Sequence, residues 1–349
     1  MVPNALLGVI LHAMGGFAAG SFYAPLKAVR NWAWESFWMV MRVAAWIITP
    51  WIVALITTPE LLDVLTDSPP RTLAWTYLFG LLWGIGGLTF GLTMRYLGIA
   101  LGMAVALGFC MTFGTLIPPL FDGKMGEIVG SMSGLIILLG VATCLAGIGL
   151  CGWAGVCKEA ELTKEQQKDA IAEFALGKGF AVATVSGILS ACFAFALAAG
   201  EPIAAEALAH GAKSLFKNNA VLVVILLGGF TTNAIWCLVL NTWNRSFGDY
   251  VNGSTGRQLV NYFLSALSGV IWYGQFFFYG MGTTKLGEKY GFSSWSIHMA
   301  FIIVFSNLWG IVFHEWRGTS SRTKGRVWLG ILTLIASTMV IGFGNYLAE

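Results

Sequence analysis

Charged residues are scarce in this chain. Only 11% of its 349 residues are Asp, Glu, Lys or Arg, whereas soluble domains carry about 25%. So little charge cannot cover a water-facing surface, and the mean hydropathy of +0.74 agrees with this. The apolar runs are about 20 residues long, which fits membrane-spanning helices and not the alternating strands of a membrane barrel. The composition therefore predicts an all-α integral membrane protein.

Motifs of ATP-driven pumps and of membrane enzymes are also missing. The sequence has no Walker A loop, no H-E-x-x-H zinc motif, no G-x-S-x-G serine motif and no pair of carboxylates within an apolar run. Its six cysteines form no C-x-x-C pair, so neither a disulfide nor a metal site is expected. The net charge of +3 gives no reason to expect a nucleic-acid partner. We expect neither an enzyme nor a cofactor.

Ten apolar segments are long enough to cross a bilayer. No Lys or Arg precedes the first segment, so we expect it to remain as a span and not to be a cleaved signal peptide. The segments cover residues of about 4–25, 35–57, 73–96, 98–121, 132–153, 177–200, 218–241, 257–282, 291–314 and 327–346.

Lys and Arg are divided unevenly between the loops. The loops after the odd-numbered segments hold 13 of them, and the other loops hold 6. Because loops rich in Lys and Arg stay in the cytoplasm, the odd loops are predicted to be cytoplasmic. Both termini are then periplasmic in a bacterial inner membrane.

A polar stretch divides the chain into two halves of five segments each. We predict a first repeat at 1–156, a cytoplasmic linker at 157–176 and a second repeat at 177–349. Since each half has an odd number of segments, duplicated halves must be inserted in opposite orientations, an arrangement common in transporters. The stretches WGIGGLTFGLTMRYLG (83–98) and WYGQFFFYGMGTTKLG (272–287) both begin with Trp and end with Leu-Gly. This match in the third segment of each half favours an inverted repeat, although chance similarity between Gly-rich stretches could also produce it.

Few ionisable residues fall inside or at the ends of the segments, and such residues are functional candidates because they are costly in lipid. His12 and His298 lie well inside and could exchange a proton near neutral pH, or they could be hydrogen-bonded packing residues. Glu35 begins the second segment, where it could carry the coupling proton or act as a helix N-terminal charge. Arg42 could pair with Glu35 or with another acid. Arg95 and Glu315 lie at cytoplasmic segment ends, where their charges could form gates or reach to the membrane–water interface.

The eighth segment carries the unusual stretch IWYGQFFFYG (271–280). At helical spacing, Trp272, Gln275 and Tyr279 share one stripe. An indole face offers a stacking surface, and an amide and a phenol can bond hydroxyl groups, so this stripe suits a pyranose sugar. It carries no charge, which favours a neutral substrate. The alternative is interfacial packing, but a midspan amide facing lipid would be costly.

Several strings spread over the chain resemble the bacterial L-rhamnose–proton symporter family of the drug/metabolite transporter superfamily. They are FYAPLKAVRNWAWE (22–35), WGIGGLTFGLTMRYLGIALG (83–102), GTL (114–116), LLGV and AGIG (138–149), WYGQFFFYGMG (272–282), HM (298–299) and EW (315–316). The resemblance implies ten spans in two inverted repeats of five and proton-coupled uptake of L-rhamnose or a close 6-deoxy sugar. Arg42, Asn307 and His314 lie outside this pattern.

The sequence thus predicts a sugar–proton symporter working by alternating access as a monomer or weak dimer. Export or import of another small amphipathic metabolite or drug, with the proton or another coupling ion, is the alternative, and a membrane receptor without transport is a further one. We expect Glu35 and His12 to couple protons, and Arg42, Arg95 and Glu315 to serve as gate or pairing charges. The residues expected to bind sugar are Tyr23, Trp83, Trp272, Gln275, Tyr279 and His298.

Overall fold

The computed structural model describes residues 4–97, 99–161, 176–286 and 291–348, and these residues form helices and turns without a strand. The helices of the first half are α1 (Ala5–Ser21), α2 (Tyr23–Leu26), α3 (Trp34–Val43), α4 (Thr49–Thr57), α5 (Leu61–Asp67), α6 (Pro70–Leu97), α7 (Ile99–Phe121), α8 (Met125–Val129) and α9 (Met132–Ala160). Those of the second half are α10 (Leu176–Ala199), α11 (Glu201–Ala209), α12 (Asn219–Trp243), α13 (Thr255–Lys285), α14 (Ser293–Val312) and α15 (Ser321–Tyr346). Most of the polar linker expected at 157–176 falls outside the described residues.

Nine helical segments of the described chain are long and apolar enough to cross a membrane. The all-helical membrane architecture is therefore confirmed. The eighth of the ten expected segments corresponds to α13, which is not among the nine although it has 31 residues. At 1.5 Å per residue, α13 is about 46 Å long.

The loops gather at two opposite ends of the bundle. At one end, here named the Glu35 end, Ala33 N–H donates to Asp249 (2.7 Å) and Lys27 pairs with Glu315 (3.3 Å). At the other, here named the His210 end, His210 contacts Glu60 (3.0 Å). The helix α13 runs between them, because Asn261 near its start bonds Arg30 and its last residue, Lys285, accepts from Asn4 N–H.

The two halves pack in matching ways. The helix α1 packs on α13 and α14, as α10 packs on α6 and α7. Likewise α7 packs on α9, as α14 packs on α15. The helix α3 packs on α13, as α12 packs on α6. The pair α9 and α15, the last long helix of each half, has the most extensive contact in the described structure.

The correspondence extends to individual glycines. A Cβ at Gly16 of α1 would stand 2.4 Å from Phe301 Cβ of α14, and a Cβ at Gly187 of α10 would stand 2.4 Å from Phe109 Cβ of α7. In the same way, a Cβ at Gly140 of α9 would stand 2.5 Å from Ile341 Cγ1 of α15, and a Cβ at Gly344 of α15 would stand 2.6 Å from Ile137 Cγ1 of α9.

The repeated sequence stretch takes part in this correspondence. Gly80 of α6 lies three residues before Trp83 and packs against the backbone of Ile225 in α12. Gly269 of α13 lies three residues before Trp272 and packs against the backbone of Met41 in α3. Close approaches of this kind need glycine because a side chain would collide with the neighbouring backbone. They bring the middle of α6 and α13 to the centre of the bundle.

Candidate functional site

The polar–aromatic stripe of α13 faces the interior of the bundle. Gln275 is 5% exposed and Tyr279 is 4% exposed, while Trp272 is half-buried. The buried Gln275 Nε2 has no hydrogen-bond partner among the described residues. Phe276, four residues after Trp272, is buried beside them. The stripe therefore presents an amide donor, a phenol and an indole inside the protein and not to lipid.

Three indole rings form a belt across the centre. Trp272 lies 5.2 Å from Trp46 and 6.4 Å from Trp83, and Trp46 lies 5.0 Å from Trp83, measured between ring centroids. Trp83 and Trp272 are the residues that open the two similar sequence stretches, and their rings stack at an interplanar angle of 28°. Trp83 of α6 and Trp272 of α13 thus bring the two halves of the chain into contact.

An arginine lies within this belt. The Arg42 guanidinium carbon is 3.5 Å from the centre of the Trp272 ring, 4.1 Å from that of Trp46 and 4.2 Å from that of Trp38. Arg42 is 5% exposed. Indole faces attract cations through the ring quadrupole, which explains how the charge is held. The sequence suggested pairing with Glu35, but the salt bridges of the described residues do not include Arg42.

The helix that carries Arg42 is irregular at the next turn. Residues Ala44–Ile48 are π-helical and lead into α4, whose second residue is Pro50. Proline has no N–H to donate to the carbonyl of Trp46 four residues earlier, and the Thr49 N–H instead donates to Ala44. Single π-helical turns are frequent at functional sites. Here the wider turn carries Trp46, one of the three indoles of the belt.

A second cluster, nearer the His210 end, contains His12, Tyr279 and His298. The centroid of the Tyr279 ring lies 5.3 Å from that of His12 and 5.0 Å from that of His298, and the two imidazoles are 5.9 Å apart. Both histidines are buried. Neither ring nitrogen of His12, nor His298 Nδ1, has a hydrogen-bond partner among the described residues. Gly282 makes room for this cluster, since a Cβ there would stand 2.8 Å from His12 Nε2.

The place with matching packing, between α10, α6 and α7, is apolar. By the packing match described above, the positions equivalent to His12, Tyr279 and His298 are Ala183, Phe90 and Ala106, which form a small hydrophobic cluster with Leu97. The imidazoles and the phenol therefore occur at only one of these two places, and helices of both halves supply them. Polar side chains at only one of two places with matching packing indicate a functional rather than an architectural role.

Trp295 joins the two clusters. Its ring is 5.7 Å from Tyr279 and 5.8 Å from Phe193, whose ring in turn lies 5.1 Å from Trp83. The Trp295 Nε1–H donates to the carbonyl of Cys110 (3.1 Å), and a Cβ at Gly114 would stand 2.4 Å from Nε1. Gly114 of the GTL string thus allows this indole to lie against the backbone of α7.

Glu35 is buried at the start of α3, with 3% of its surface exposed. Its Oε1 accepts hydrogen bonds from Asn244 Nδ2 (2.9 Å) and Ser246 Oγ (2.6 Å). Ser36 next to it donates to Asp249 (2.7 Å). These bonds attach the segment between α12 and α13 to the start of α3, so they join the two halves of the chain at the Glu35 end.

Some of the expected residues lie apart from these clusters. Tyr23 is 43% exposed, and its ring contacts Phe22, which itself stacks on Trp272 at 5.4 Å. Glu315 pairs with Lys27 at the surface of the Glu35 end. Arg95 belongs to α6, but its side chain lies outside the described part of the structure. The roles proposed for these three residues stay predictions.

Sequence analysis missed Trp38, Trp46, Phe193 and Trp295. A signal for the first two was present, because Trp38, Arg42 and Trp46 are spaced by four residues and so share one face of a helix. No local pattern singles out Phe193 or Trp295. Two surface pockets, of about 280 Å³ near His314 and about 520 Å³ near Trp153, do not include any residue of either cluster.

Comparison with known proteins decides the family. The model of the L-rhamnose-proton symport protein family matches residues 1–347. The chain belongs to this family. Relatives named L-rhamnose-proton symporter include those of Mannheimia succiniciproducens, 34% identical over 346 residues with 99% of each chain covered, and of Cronobacter sakazakii, 35% identical over 346 residues with 98% of this chain and 99% of the relative covered. The relative from Yersinia pestis is 33% identical over 341 residues, which cover 97% of this chain and 98% of the relative.

Membership of the L-rhamnose-proton symport protein family makes the chain a transporter and not an enzyme, as its missing motifs predicted. The match extends over nearly the whole chain, so it includes both the indole belt and the His12 cluster. The resemblance seen in the sequence strings is confirmed.

Proposed function

We propose that this protein takes up L-rhamnose or a closely related 6-deoxy sugar together with protons across the bacterial inner membrane. The observation that carries the proposal is the buried stripe of α13, where Trp272, Gln275 and Tyr279 face the centre of the bundle. The relatives' shared name supports sugar uptake over export of an amphipathic metabolite.

The sugar would bind against the indole belt. One face of a pyranose is lined by C–H groups that stack on an indole, and its hydroxyls bond amide and phenol groups. Trp272 and Trp83 supply stacking surface, and Gln275 and Tyr279 supply polar partners. His298 would bond a hydroxyl at the edge of the site, since its ring lies 5.0 Å from Tyr279.

We infer that the chain has ten spans arranged as two inverted repeats, residues 1–156 and 177–349, joined by the linker 157–176. The helix α13, which corresponds to the eighth expected segment, adds one span to the nine, because its two ends contact opposite ends of the bundle. The matched packing of α1 on α14 and α10 on α7 supports the repeat. Opposite insertion then places the sugar site at the interface of the repeats, near the midplane.

The Glu35 end would be cytoplasmic, with both termini periplasmic. The carboxylate of Glu35 connects the two halves there through Asn244 and Ser246. Gain and loss of its proton would change this connection, so Glu35 can link proton binding to the relative movement of the halves. His12, in contact with Tyr279, would link a proton to the sugar site itself.

The test is transport by purified protein in proteoliposomes. We expect L-rhamnose to drive proton movement in the same direction, seen as alkalinisation of the outer medium when sugar enters. The variants Trp272→Ala and Gln275→Leu should lose sugar binding, because each removes a partner of the bound ring. Glu35→Gln should retain sugar exchange and lose uphill accumulation.

The matched control is Trp243→Ala, which removes an indole that is 71% exposed on another helix. It should transport normally. If L-rhamnose and related deoxy sugars neither bind nor move protons in the wild-type protein, the proposed function is refuted. If Gln275→Leu exchanges sugar at the wild-type rate, the site is wrong although the function can stand.

A further inference from the structure

Arg42 changes the electrostatics of the proposed sugar site. The stripe of α13 carries no charge of its own, which favoured a neutral substrate. The structure brings a guanidinium from α3 to 3.5 Å from the Trp272 ring, so the ring on which a sugar would stack already has a cation against it. A charge at this depth is costly in a membrane protein and usually marks a site for a substrate or ion.

The guanidinium lacks an acidic partner in the described structure. Its Nε and Nη1 atoms are buried and form no hydrogen bond with any described residue. Glu35, two turns earlier on the same helix, is bonded to Asn244 and Ser246 instead. The α12 groups beside it are uncharged: Asn233 accepts from the Trp38 indole (3.3 Å), and the Cys237 thiol interacts with the guanidinium.

The surrounding rings hold the cation but leave its donors free. Cation–π contacts use the flat faces of Trp38, Trp46 and Trp272, whereas the N–H groups of a guanidinium point outward in its own plane. The indole Nε1 of Trp46 is a further buried donor without a partner among the described residues. Three donor nitrogens beside a fixed positive charge suit a carboxylate, which accepts paired hydrogen bonds from arginine.

We propose that Arg42 and Trp46 form an anion subsite within the sugar site, and that this transporter binds ring-forming monosaccharides that carry a carboxylate, such as uronates. This rests on the proposed function, because the sugar ring would use Trp272 and Gln275 as L-rhamnose does. The carboxylate would compensate the Arg42 charge, and a neutral sugar would not. A sugar acid is then favoured over a neutral sugar of the same shape.

The test compares matched ligands on the intact, purified protein at neutral pH, where sugar acids are ionised. Affinities are measured by thermal stabilisation and titration for D-galacturonate against D-galactose and for D-glucuronate against D-glucose. At least one acid should bind roughly tenfold or more tightly than its neutral partner, the size expected for a charge-assisted pair. If no acid exceeds its neutral partner in the wild-type protein, the proposal is refuted.

Two variants and a control assign the effect to Arg42. In Arg42→Gln the preference for the acid should disappear, and in Arg42→Lys it should be reduced, because lysine keeps the charge and loses the paired donors. The control Arg71→Gln removes an exposed arginine at the His210 end and should leave the preference unchanged. An acid preference that persists in Arg42→Gln would contradict the proposal.

L-Rhamnose is measured in parallel to separate this inference from the proposed function. If L-rhamnose binds and no acid does, only the anion subsite fails. If an acid binds through Arg42 and L-rhamnose does not, the subsite stands and the proposed substrate fails. Should Arg42→Gln and Arg42→Lys both fail to fold, the wild-type comparison of acid with neutral sugar still decides.

Discussion

At the scale of single residues, the site combines rings that stack with a few polar atoms that the protein itself leaves unpaired. Gln275 Nε2, both nitrogens of His12 and the Trp46 indole N–H are buried without a partner among the described residues. A buried donor or acceptor without a partner costs about 1–3 kcal/mol. Such groups at one place are therefore the expected mark of a site that bonds a ligand.

The two histidines should have separable roles. We predict that His12→Gln keeps sugar exchange and loses uphill accumulation, because the imidazole would carry a coupling proton beside Tyr279. His298→Gln should instead weaken L-rhamnose binding by roughly tenfold, about the value of one hydrogen bond to a ligand. Counterflow and proton-driven uptake in proteoliposomes distinguish the two.

The control for this experiment is His314→Gln, which changes an exposed histidine at the Glu35 end. It should behave as the wild type in both assays. Equal loss of exchange and of uphill transport in His12→Gln would show that His12 binds sugar or supports the fold, and would remove it from the coupling step.

At the scale of helices, glycines decide how closely α6, α12 and α13 approach one another. A Cβ at Gly80 would stand 2.2 Å from the carbonyl oxygen of Ile225, whereas a Cβ at Gly87 on the same helix meets nothing within 4 Å. We predict that Gly80→Ala lowers the free energy of unfolding by about 1–3 kcal/mol, because backbone and helix must shift.

Gly87→Ala is the matched control and should be neutral or stabilising by up to about 1 kcal/mol, since alanine favours helix more than glycine does. Thermal unfolding of both variants in detergent provides the comparison. Equal midpoints for Gly80→Ala and the wild type would contradict the close packing of α6 on α12.

A pH-dependent contact joins two short helices at the His210 end. His210, which follows α11, lies 3.0 Å from Glu60 before α5, 3.5 Å from Asp67 and 3.3 Å from Glu206. The hydrogen bond to Glu60, with the negative charges of all three carboxylates, raises the pKa of His210 above its ordinary value. A group with a raised pKa stabilises the fold below its unfolded value of about 6.5, and this contribution is lost as the pH rises through the raised pKa.

We therefore predict that the unfolding temperature of the wild type exceeds that of His210→Asn most at pH 5.5, and that the difference shrinks toward pH 8.5. Unfolding curves in detergent over this range provide the measurement. His314→Asn controls for removing an imidazole elsewhere. A difference that stays constant or grows with pH would show that the contact is not ionic.

At the scale of the whole molecule, the helices of the two halves pack in matching ways, but only one of two matching places carries polar side chains. The contacts of Gly16 with Phe301 and of Gly187 with Phe109 repeat the same geometry. The His12 cluster has only alanine and phenylalanine at the equivalent positions. We expect two halves with matching packing to exchange conformations at similar free energy, as alternating access requires.

The two ends of the bundle should lie on opposite sides of the membrane. In a variant with its six cysteines replaced, we predict that Asp63→Cys at the His210 end reacts with a membrane-impermeant maleimide added to intact cells. Arg317→Cys at the Glu35 end should react only after the cells are opened. Both positions are exposed. Labelling of Arg317→Cys from outside would reverse the predicted orientation.

The sequence by itself determined the class of protein, nearly all the helices and the polar stripe of α13. These depend on composition and on periodicity within one segment, and such local properties survive without knowledge of the fold. The family, too, was evident from short strings such as QFFFY. Helix α13 was found as a segment in the same way, from its length and its aromatic stripe.

Only the tertiary structure decided which of these residues meet. Arg42 was expected near Glu35 because they share a helix, yet it lies among Trp38, Trp46 and Trp272 from two helices. No local sequence pattern predicted that Phe193 and Trp295 would lie in the site. The physical reason is that contacts between helices depend on crossing points set by small residues such as Gly80 and Gly269, and these distances cannot be derived from the periodicity of any one segment.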